Sequence, residues 1–176
     1  NKKPSTLATD KGRINRHIKP LLGRRRVATL TQADVEQFLH DIASGKTATD
    51  VRTGPRGRAI VTGGKGTATR TVGLLGGILS FAVERGIRPD NPVRHARRFK
   101  DRQRDRMLSS EEIWRLIRML SGPEAGNIHP YAIAQIRLLL LTGARKSEIL
   151  TLRWSNVDFE KRMITLDDSK TGPKKI

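Results

Sequence analysis

Residues 138–154 read LLLLTGARKSEILTLRW, and this stretch decides how the second half of the chain folds. The apolar run that starts after Pro130 predicts a helix that ends at Gly143, and a short second helix follows it. Arg145 lies at the start of that second helix, and Glu148 follows three residues later, within reach of a same-helix ion pair. The spacing predicts a guanidinium that projects from a buried elbow in one fixed orientation. Such a donor fork suits a phosphate ester in transfer, although an isolated Arg–Glu pair is more typical of an ordinary surface ion pair.

The sequence around this stretch predicts a mixed unit of helices and strands. Upstream, Ser109 and Glu112 have the spacing of a capping box, and the apolar residues that follow predict an amphipathic helix. Downstream, the apolar pattern changes to a period of two, so residues 163–166 read as a strand. A turn region is expected over 167–172, and a second strand begins as the sequence reaches Ile176.

The composition limits what kind of protein this can be. In 176 residues, 35 Lys and Arg oppose 17 Asp and Glu, which gives a formal net charge of +18 and a pI of about 11.4. The absence of cysteine excludes a disulfide scaffold and a thiol nucleophile. No run reaches roughly 18 consecutive apolar residues, so we expect no membrane span. A field this positive indicates a polyanionic partner, and nucleic acid is the first candidate.

Most of the positive charge lies in the first part of the chain, which reads as helical. Residues 1–106 hold 24 Lys and Arg against 9 Asp and Glu. Apolar spacing predicts a first helix over about 5–19, which Pro20 is expected to stop. A second helix is predicted after the cap residue Thr31, and a third over about 67–85.

Two segments of this first part are rich in glycine or arginine. Residues 46–66 predict a flexible basic loop with a short hairpin around 58–61, and a disordered insertion is as consistent with the pattern as a DNA-contacting one. Two fragments in and beside this loop imitate phosphate-binding loops but lack the glycine spacing, so we expect no nucleotide site. Residues 94–106 carry seven Lys and Arg against two Asp, which predicts an extended linker. The expected domains are 1–93, a basic linker over 94–107, and 108–176.

The stretch around Arg145 resembles the first catalytic box of the tyrosine recombinase (phage integrase) family. The family pattern is a leucine run, Thr-Gly, a small residue, Arg, two variable residues, Glu and then Leu or Ile, which residues 141–149 match as LTGARKSEI. The resemblance implies that Arg145 is the first catalytic arginine, which holds the scissile phosphate, and that Glu148 supports it. The later SKTG at 169–172 is similar to the family's hairpin lysine turn, which implies Lys170 as the general acid for the departing 5′ oxygen.

The resemblance covers nearly the whole chain and implies its architecture and partners. The implied fold is mainly α: a helical core-binding domain followed by a truncated α+β catalytic domain with a small antiparallel β-hairpin. The implied partner is double-stranded DNA, without a metal or another cofactor. In the intact enzyme, a tyrosine would form a 3′-phosphotyrosyl intermediate during DNA integration or recombination by a mobile element. We expect a cytoplasmic, nucleoid-associated protein that is tetrameric on DNA when intact, and a fragment that is monomeric.

The sequence departs from the family pattern after Lys170. The family's His-x-x-Arg box and its tyrosine nucleophile do not follow before Ile176, and Tyr131, the only tyrosine, precedes Arg145. We therefore expect a DNA-binding fragment that is inactive alone, whether a truncated product, a proteolytic remnant or a decayed gene. The alternative is a non-enzymatic DNA-binding or architectural protein. A third reading is an RNA-binding protein, against which the 4% of aromatic residues argues mildly.

Arginines and lysines of the first domain and the linker are the candidate DNA contacts. One sequence does not separate base-reading side chains from phosphate-contacting ones. The candidates are Arg24, Arg25, Arg26, Lys65, Arg70, Arg97, Arg98, Lys100 and Arg102. No metal site is predicted, because the histidines have no partner at ligand spacing.

Overall fold

A computed structural model of the chain describes residues 2–100, 105–122, 126–166 and 172–176. The contacts divide the chain into two units, residues 1–103 and 104–176. Both units are mainly helical and each carries a small antiparallel sheet, so the predicted fold class is confirmed.

The first unit opens with a continuous helical segment in three pieces: α1 Pro4–Arg13, a π-helical turn Ile14–Ile18, and α2 Lys19–Leu22. The prediction that Pro20 stops this helix is wrong. In a regular α-helix the Pro20 ring would clash with the carbonyl of Arg16, four residues earlier. The backbone instead widens, so that the Lys19 N–H donates to the Ile14 carbonyl, five residues back. The helical path therefore continues past the proline.

Two longer helices form the centre of the first unit: α3 Gln32–Ala43 and α4 Lys65–Glu84. The predicted cap of α3 is confirmed. Thr31 Oγ1 accepts from the Asp34 N–H at 3.2 Å, and Asp34 Oδ2 accepts from the Thr31 N–H at 3.0 Å. The capping box satisfies two backbone donors that a helix start would otherwise leave unpaired.

The core of this unit lies between α3 and α4 and is closed by a 3₁₀ turn, Pro92–Arg94. Its fully buried side chains include Phe38, Ile42 and Leu79. Val93 of the 3₁₀ turn packs so tightly on α4 that a Cβ at Gly76 would lie 3.0 Å from its Cγ1. Glycine at this position therefore permits the close approach of the turn to the helix.

Helix α4 is long and apolar enough, by length and composition alone, to cross a membrane. Ala68, Val72, Leu75 and Leu79 of this helix are buried against α3. A stripe of buried residues at helical spacing is typical of the central helix of a folded unit.

Residues 46–66 are more ordered than the flexible loop that was predicted. Strands β1 Thr49–Gly54 and β2 Gly57–Val61 pair antiparallel, so the hairpin begins well before residue 58. After β2, Gly63 adopts a φ of +81°, and a Cβ there would lie 2.3 Å from the Ile42 carbonyl oxygen. Only glycine lets the chain pass this closely over the end of α3.

Within its described residues, the second unit has three α-helices and a three-stranded sheet. Its elements are α5 Ser110–Ser121, α6 Pro130–Thr142, α7 Lys146–Leu150, β3 Val157–Asp158, β4 Met163–Leu166 and β5 Lys174–Lys175. The Ser109 cap, the Pro130 start and the strand over 163–166 are confirmed. The strand order is β3-β4-β5, all antiparallel, and β5 begins at Lys174 rather than at Ile176.

Candidate functional site

The elbow between α6 and α7 holds Arg145 in a defined position. Helix α6 ends at Gly143, which adopts the left-handed conformation with a φ of +60° and so turns the chain sharply. Ala144 is buried, and Arg145 follows it in an extended conformation as the N-cap residue of α7. The backbone of Arg145 is therefore fixed by the turn before it and by the helix after it.

Glu148 anchors Arg145 at both backbone and side chain. Glu148 Oε2 accepts from the Arg145 backbone N–H at 2.9 Å, and Oε1 accepts from the Arg145 guanidinium at 2.9 Å. The Glu148 side chain is only 4% exposed, whereas the Arg145 side chain is 46% exposed. The pair therefore has a buried carboxylate and a guanidinium whose remaining N–H donors face solvent.

A second cation completes the environment of this carboxylate. Lys174 Nζ, at the start of β5, lies 3.1 Å from Glu148 Oε2. The bond from the Arg145 backbone N–H, with the added bonds from Lys174 and the Arg145 side chain, lowers the pKa of Glu148 to about 2. Glu148 is therefore ionised across the whole neutral range.

Lys174 was not predicted from the sequence. Its partner Glu148 lies 26 residues away, on a different element, and no local spacing rule joins them. The one available signal was the period-two pattern after Trp154, which placed a hairpin close after the elbow. The structure shows that the last strand of this sheet is tied to the carboxylate that holds Arg145.

Lys170 and Arg102 lie outside the described residues. Their predicted roles, as general acid and as DNA contact, stay predictions.

The predicted basic triplet Arg24–Arg26 lies exposed in the loop after α2. Arg25 is paired with Asp34 of the α3 capping box at 2.5 Å. Arg24 and Arg26 have no ion-pair partner within the described parts of the chain. Two of the three arginines are thus available to an external anion, while Arg25 also positions the loop against α3.

Three of the remaining described candidates, Lys65, Arg98 and Lys100, lie beside Phe99. This residue packs against the first unit's core, and its flanks Arg98 and Lys100 are exposed. Lys65 Nζ lies 5.5 Å from the centre of the Phe99 ring, and Thr69 Oγ1 donates to the Phe99 carbonyl oxygen at 3.4 Å. The structure therefore brings the start of α4 and the segment after the 3₁₀ turn onto one basic surface. Arg70 and Arg97 are exposed on the same two segments.

These contacts change the interpretation of the predicted linker. The segment after Pro92–Arg94 is held to α3, because Gln32 donates to the His95 carbonyl at 3.1 Å and Phe99 packs on the core. Arginine-rich sequence predicted an extended chain from residue 94, but the side chains of Ala96 and Phe99 pack on the core of the first unit. The domain boundaries at 93 and 107 stay predictions.

Within the described residues, the histidine, aspartate and glutamate side chains form no group of three or more that could hold a metal ion. His17 is buried, and its Nδ1 lies 2.6 Å from Thr47 Oγ1. Tyr131 is 74% exposed, and its ring stacks on His129 with centroids 5.3 Å apart.

The fold and the elbow together define a class of protein: a basic helical unit followed by a helix-and-hairpin unit with an arginine fixed on a buried glutamate. The profile described as "Phage integrase family" matches residues 106–176. The profile "Phage integrase, N-terminal SAM-like domain" matches residues 1–43. The chain belongs to the phage integrase, or tyrosine recombinase, family.

Two curated relatives come from Escherichia coli. The shufflon-specific DNA recombinase is 34% identical over 134 residues, which is 75% of this chain and 33% of that protein. The prophage integrase IntF of strain K12 is 46% identical over 48 residues, which is 27% of this chain and 10% of that protein. The chain therefore spans a third or less of the length of these relatives.

Solved structures share the fold at low identity. A lambda integrase dimer bound to a COC′ core site matches with a TM-score of 0.73 and 18% identity, covering 100% of this chain and 56% of that one. The Tn1549 transposon integrase in complex with circular intermediate DNA matches with a TM-score of 0.70 and 16% identity, covering 100% of this chain and 54% of that one.

Proposed function

We propose that this chain binds duplex DNA as the core-binding and first catalytic portion of a site-specific tyrosine recombinase that acts in DNA integration and recombination. The observation that carries the proposal is the half-exposed Arg145 guanidinium fixed on the buried Glu148 carboxylate. The relatives, a recombinase and an integrase, support the same activity.

The proposed chemistry gives each residue of the site a separate task. A tyrosine of the intact enzyme attacks the scissile phosphorus, the 3′-phosphotyrosyl bond forms, and the bond to the 5′ oxygen breaks. Arg145 donates to the non-bridging oxygens, on which negative charge grows in the transition state. Lys170 gives a proton to the leaving 5′ oxygen. Resealing reverses these steps with a 5′ hydroxyl as the nucleophile, so no metal or redox cofactor is needed.

Glu148 acts in this proposal as a positioning residue. Its pKa of about 2 keeps it charged, and its burial leaves it no role as a proton donor to DNA at neutral pH. By holding both Arg145 and Lys174, it ties the phosphate-binding arginine to the sheet whose two last strands flank Lys170 in sequence.

The test of catalysis is Arg145→Ala in a version of the protein that carries a tyrosine nucleophile. Removing a comparable donor typically costs about 10²–10³ in rate, so recombination should fall by at least that factor. Duplex binding should be retained, because Arg145 is one of many cations. The matched control is Lys146→Ala, which removes an exposed positive charge from the next residue. Normal recombination by the Arg145 variant would disprove the assignment and favour a non-enzymatic DNA-binding protein.

DNA binding is tested by its salt dependence. The candidate contacts within the described residues are Arg24, Arg25, Arg26, Lys65, Arg70, Arg97, Arg98 and Lys100, with Arg102 beyond them. If about six of these neutralise phosphates, log K should fall with log salt at a slope of about −5. A flat salt response of the 176-residue chain would contradict the proposal.

The cellular setting belongs to the same proposal. We place the protein in the cytoplasm with the nucleoid, encoded by a mobile element, as a monomer free in solution and a tetramer of the intact enzyme on DNA. Light scattering should give a mass near 19.7 kDa for this chain without DNA. A stable oligomer without DNA would contradict the monomer assignment.

A further inference from the structure

The β1–β2 hairpin of the first unit is a basic projection with a defined face. Its register places Arg52 directly opposite Arg58, and Asp50 opposite Ile60. Because residues two apart on a strand share a face, Asp50, Arg52, Arg58 and Ile60 point to the same side. Arg56 lies in the two-residue turn that joins the strands.

The charges on this face are only partly neutralised. Arg58 forms a bidentate pair with Asp50. Its Nε donates to Oδ1 at 2.7 Å, and its Nη2 donates to Oδ2. Arg52 and Arg56 are exposed, and neither side chain has an ion-pair or hydrogen-bond partner in the parts of the chain that the structure describes. Like charges directly opposite each other destabilise a strand pair, so Arg52 against Arg58 is unfavourable in the free protein.

The face is also open. A recess of about 590 Å³ is lined entirely by residues between Asp50 and Arg58. The β1 residues are all exposed, and so is Ile60, at 62%. An exposed arginine pair with one carboxylate and an open recess fits an external anion better than it fits the protein's own core.

The dimensions of the hairpin indicate which polyanion it fits. Two paired strands are about 4.8 Å apart, and a sheet with its side chains is about 10 Å thick. The major groove of B-DNA is about 12 Å wide and admits a two-stranded ribbon, whereas the minor groove is about 6 Å wide and takes a ribbon only where the duplex is bent and the groove is opened. The deep major groove of duplex RNA is too narrow for side chains to read.

We propose that the β1–β2 hairpin is a DNA-binding arm that docks in the major groove, with Arg52 and Arg56 on the flanking phosphates. The hairpin lies between the two profile matches, which end at residue 43 and resume at residue 106. The inference rests on the proposed function in one respect, that the partner is duplex DNA.

The test compares two double variants of the 176-residue chain on a random-sequence 25-base-pair duplex. Arg52→Gln with Arg56→Gln removes two phosphate contacts and leaves the Asp50–Arg58 pair in place. The salt slope should become less steep by about 2, and affinity at about 0.1 M salt should fall about 10- to 60-fold. The control, Lys11→Gln with Lys19→Gln, removes the same charge from exposed positions on α1 and α2 and should change affinity less than threefold. Far-UV circular dichroism checks that both variants are folded.

The groove is tested with a duplex whose pyrimidines carry a bulky sugar at C5, which fills the major groove. The parent chain should lose more affinity on this duplex than the Arg52/Arg56 variant does. If both double variants lost the same affinity for the duplex, only total charge would matter and the inference would be overturned. If the parent chain and the Arg52/Arg56 variant lost the same affinity on the modified duplex, the major-groove docking would be overturned.

The outcomes separate this inference from the proposed function. If the parent chain binds with a steep salt slope and the Arg52/Arg56 variant keeps that slope, the hairpin inference fails and the proposed function stands. If the parent chain shows no salt-dependent binding to duplex DNA, both fail. A larger effect of the variant on duplex RNA than on duplex DNA would also overturn the inference.

Discussion

Arg88 is the residue whose replacement should most clearly destabilise the first unit. Its side chain is 3% exposed, and its guanidinium donates to the Val27 carbonyl at 2.8 Å and the Leu30 carbonyl at 3.0 Å. It also donates to the Asp90 carbonyl at 2.5 Å. One buried side chain thus fastens the loop before α3, which carries the basic triplet, to the turn after α4.

The expected cost of Arg88→Met follows from these bonds. Methionine keeps the apolar stem but leaves the buried Leu30 carbonyl without its donor, a loss of about 1–3 kcal/mol. The Val27 carbonyl is nearer the surface, where water replaces part of the bond, and adds about 1 kcal/mol. The total of about 2–4 kcal/mol should lower the melting temperature of a unit of this size by about 10–25 °C.

The assay is thermal and urea unfolding followed by two signals. Both tryptophans, Trp114 and Trp154, lie in the second unit, so their fluorescence reports that unit alone. Arg88→Met should shift the far-UV circular dichroism transition of the first unit and leave the fluorescence transition unchanged. The control Arg94→Met replaces a nearby exposed arginine and should change stability by less than about 0.5 kcal/mol. A shift for Arg88→Met no larger than that of the control would refute the reasoning.

Three further predictions concern single positions. Gly63→Ala should destabilise the first unit by at least about 1–3 kcal/mol, since its Cβ would lie 2.3 Å from the Ile42 carbonyl oxygen and its φ is +81°. The control is Gly66→Ala, at a helical position with nothing within 4 Å of its Cβ. In the same thermal unfolding experiment this control should be neutral or stabilising. Because the folded pKa of Glu148 is about 2, below the ordinary 4.5, its contribution to stability is complete above about pH 4.5 and is lost as the pH falls towards 2. Glu148→Gln should therefore be less stable than the parent at pH 7, and tryptophan-monitored unfolding should show the difference shrinking between pH 4.5 and 2; a constant difference would contradict the pKa assignment. In a version of the protein that carries the tyrosine nucleophile, Lys174→Met should reduce recombination less than Arg145→Ala does. Lys175→Met, at an exposed position, is the control.

Local signals predicted most of the secondary structure. The caps at Thr31 and Ser109 depend on a side chain and a backbone group three residues apart, and that spacing is visible in the sequence. Gly143 was predictable from another local signal, because the left-handed conformation at the end of a helix favours glycine. The Arg145–Glu148 pair is also local, so the main geometry of the elbow followed from one short motif.

The features that the sequence did not predict are set by distant contacts or by rare geometry. The first helix continues past Pro20 through a π-helical turn, and no common sequence pattern predicts such a turn. The partners of Arg88, Val27 and Leu30, lie about 60 residues earlier in the chain. Lys174 reaches Glu148 only because β5 pairs with β4. Pairing between distant segments decides such contacts, and one sequence does not reveal it.

The position of the carboxylates separates the cations that are paired within the protein from those available to an external anion. Asp34 and Asp50 neutralise Arg25 and Arg58, so the net positive field of the first unit comes from exposed neighbours without acidic partners. Glu148 differs, because it is buried and holds two cations of the second unit at once.

Removing the charge of Glu148 should therefore act on binding and on catalysis in opposite directions. Glu148→Gln raises the net charge by one and frees Lys174 and Arg145 from their anchor, so salt-dependent binding to non-specific duplex should be equal or slightly tighter. The Arg145 guanidinium is then no longer held in one orientation. Recombination by a version of the protein that carries the tyrosine nucleophile should therefore fall. Binding and recombination that decline together would instead mean that Glu148 only maintains the fold, and far-UV circular dichroism of the same variant would show that loss directly.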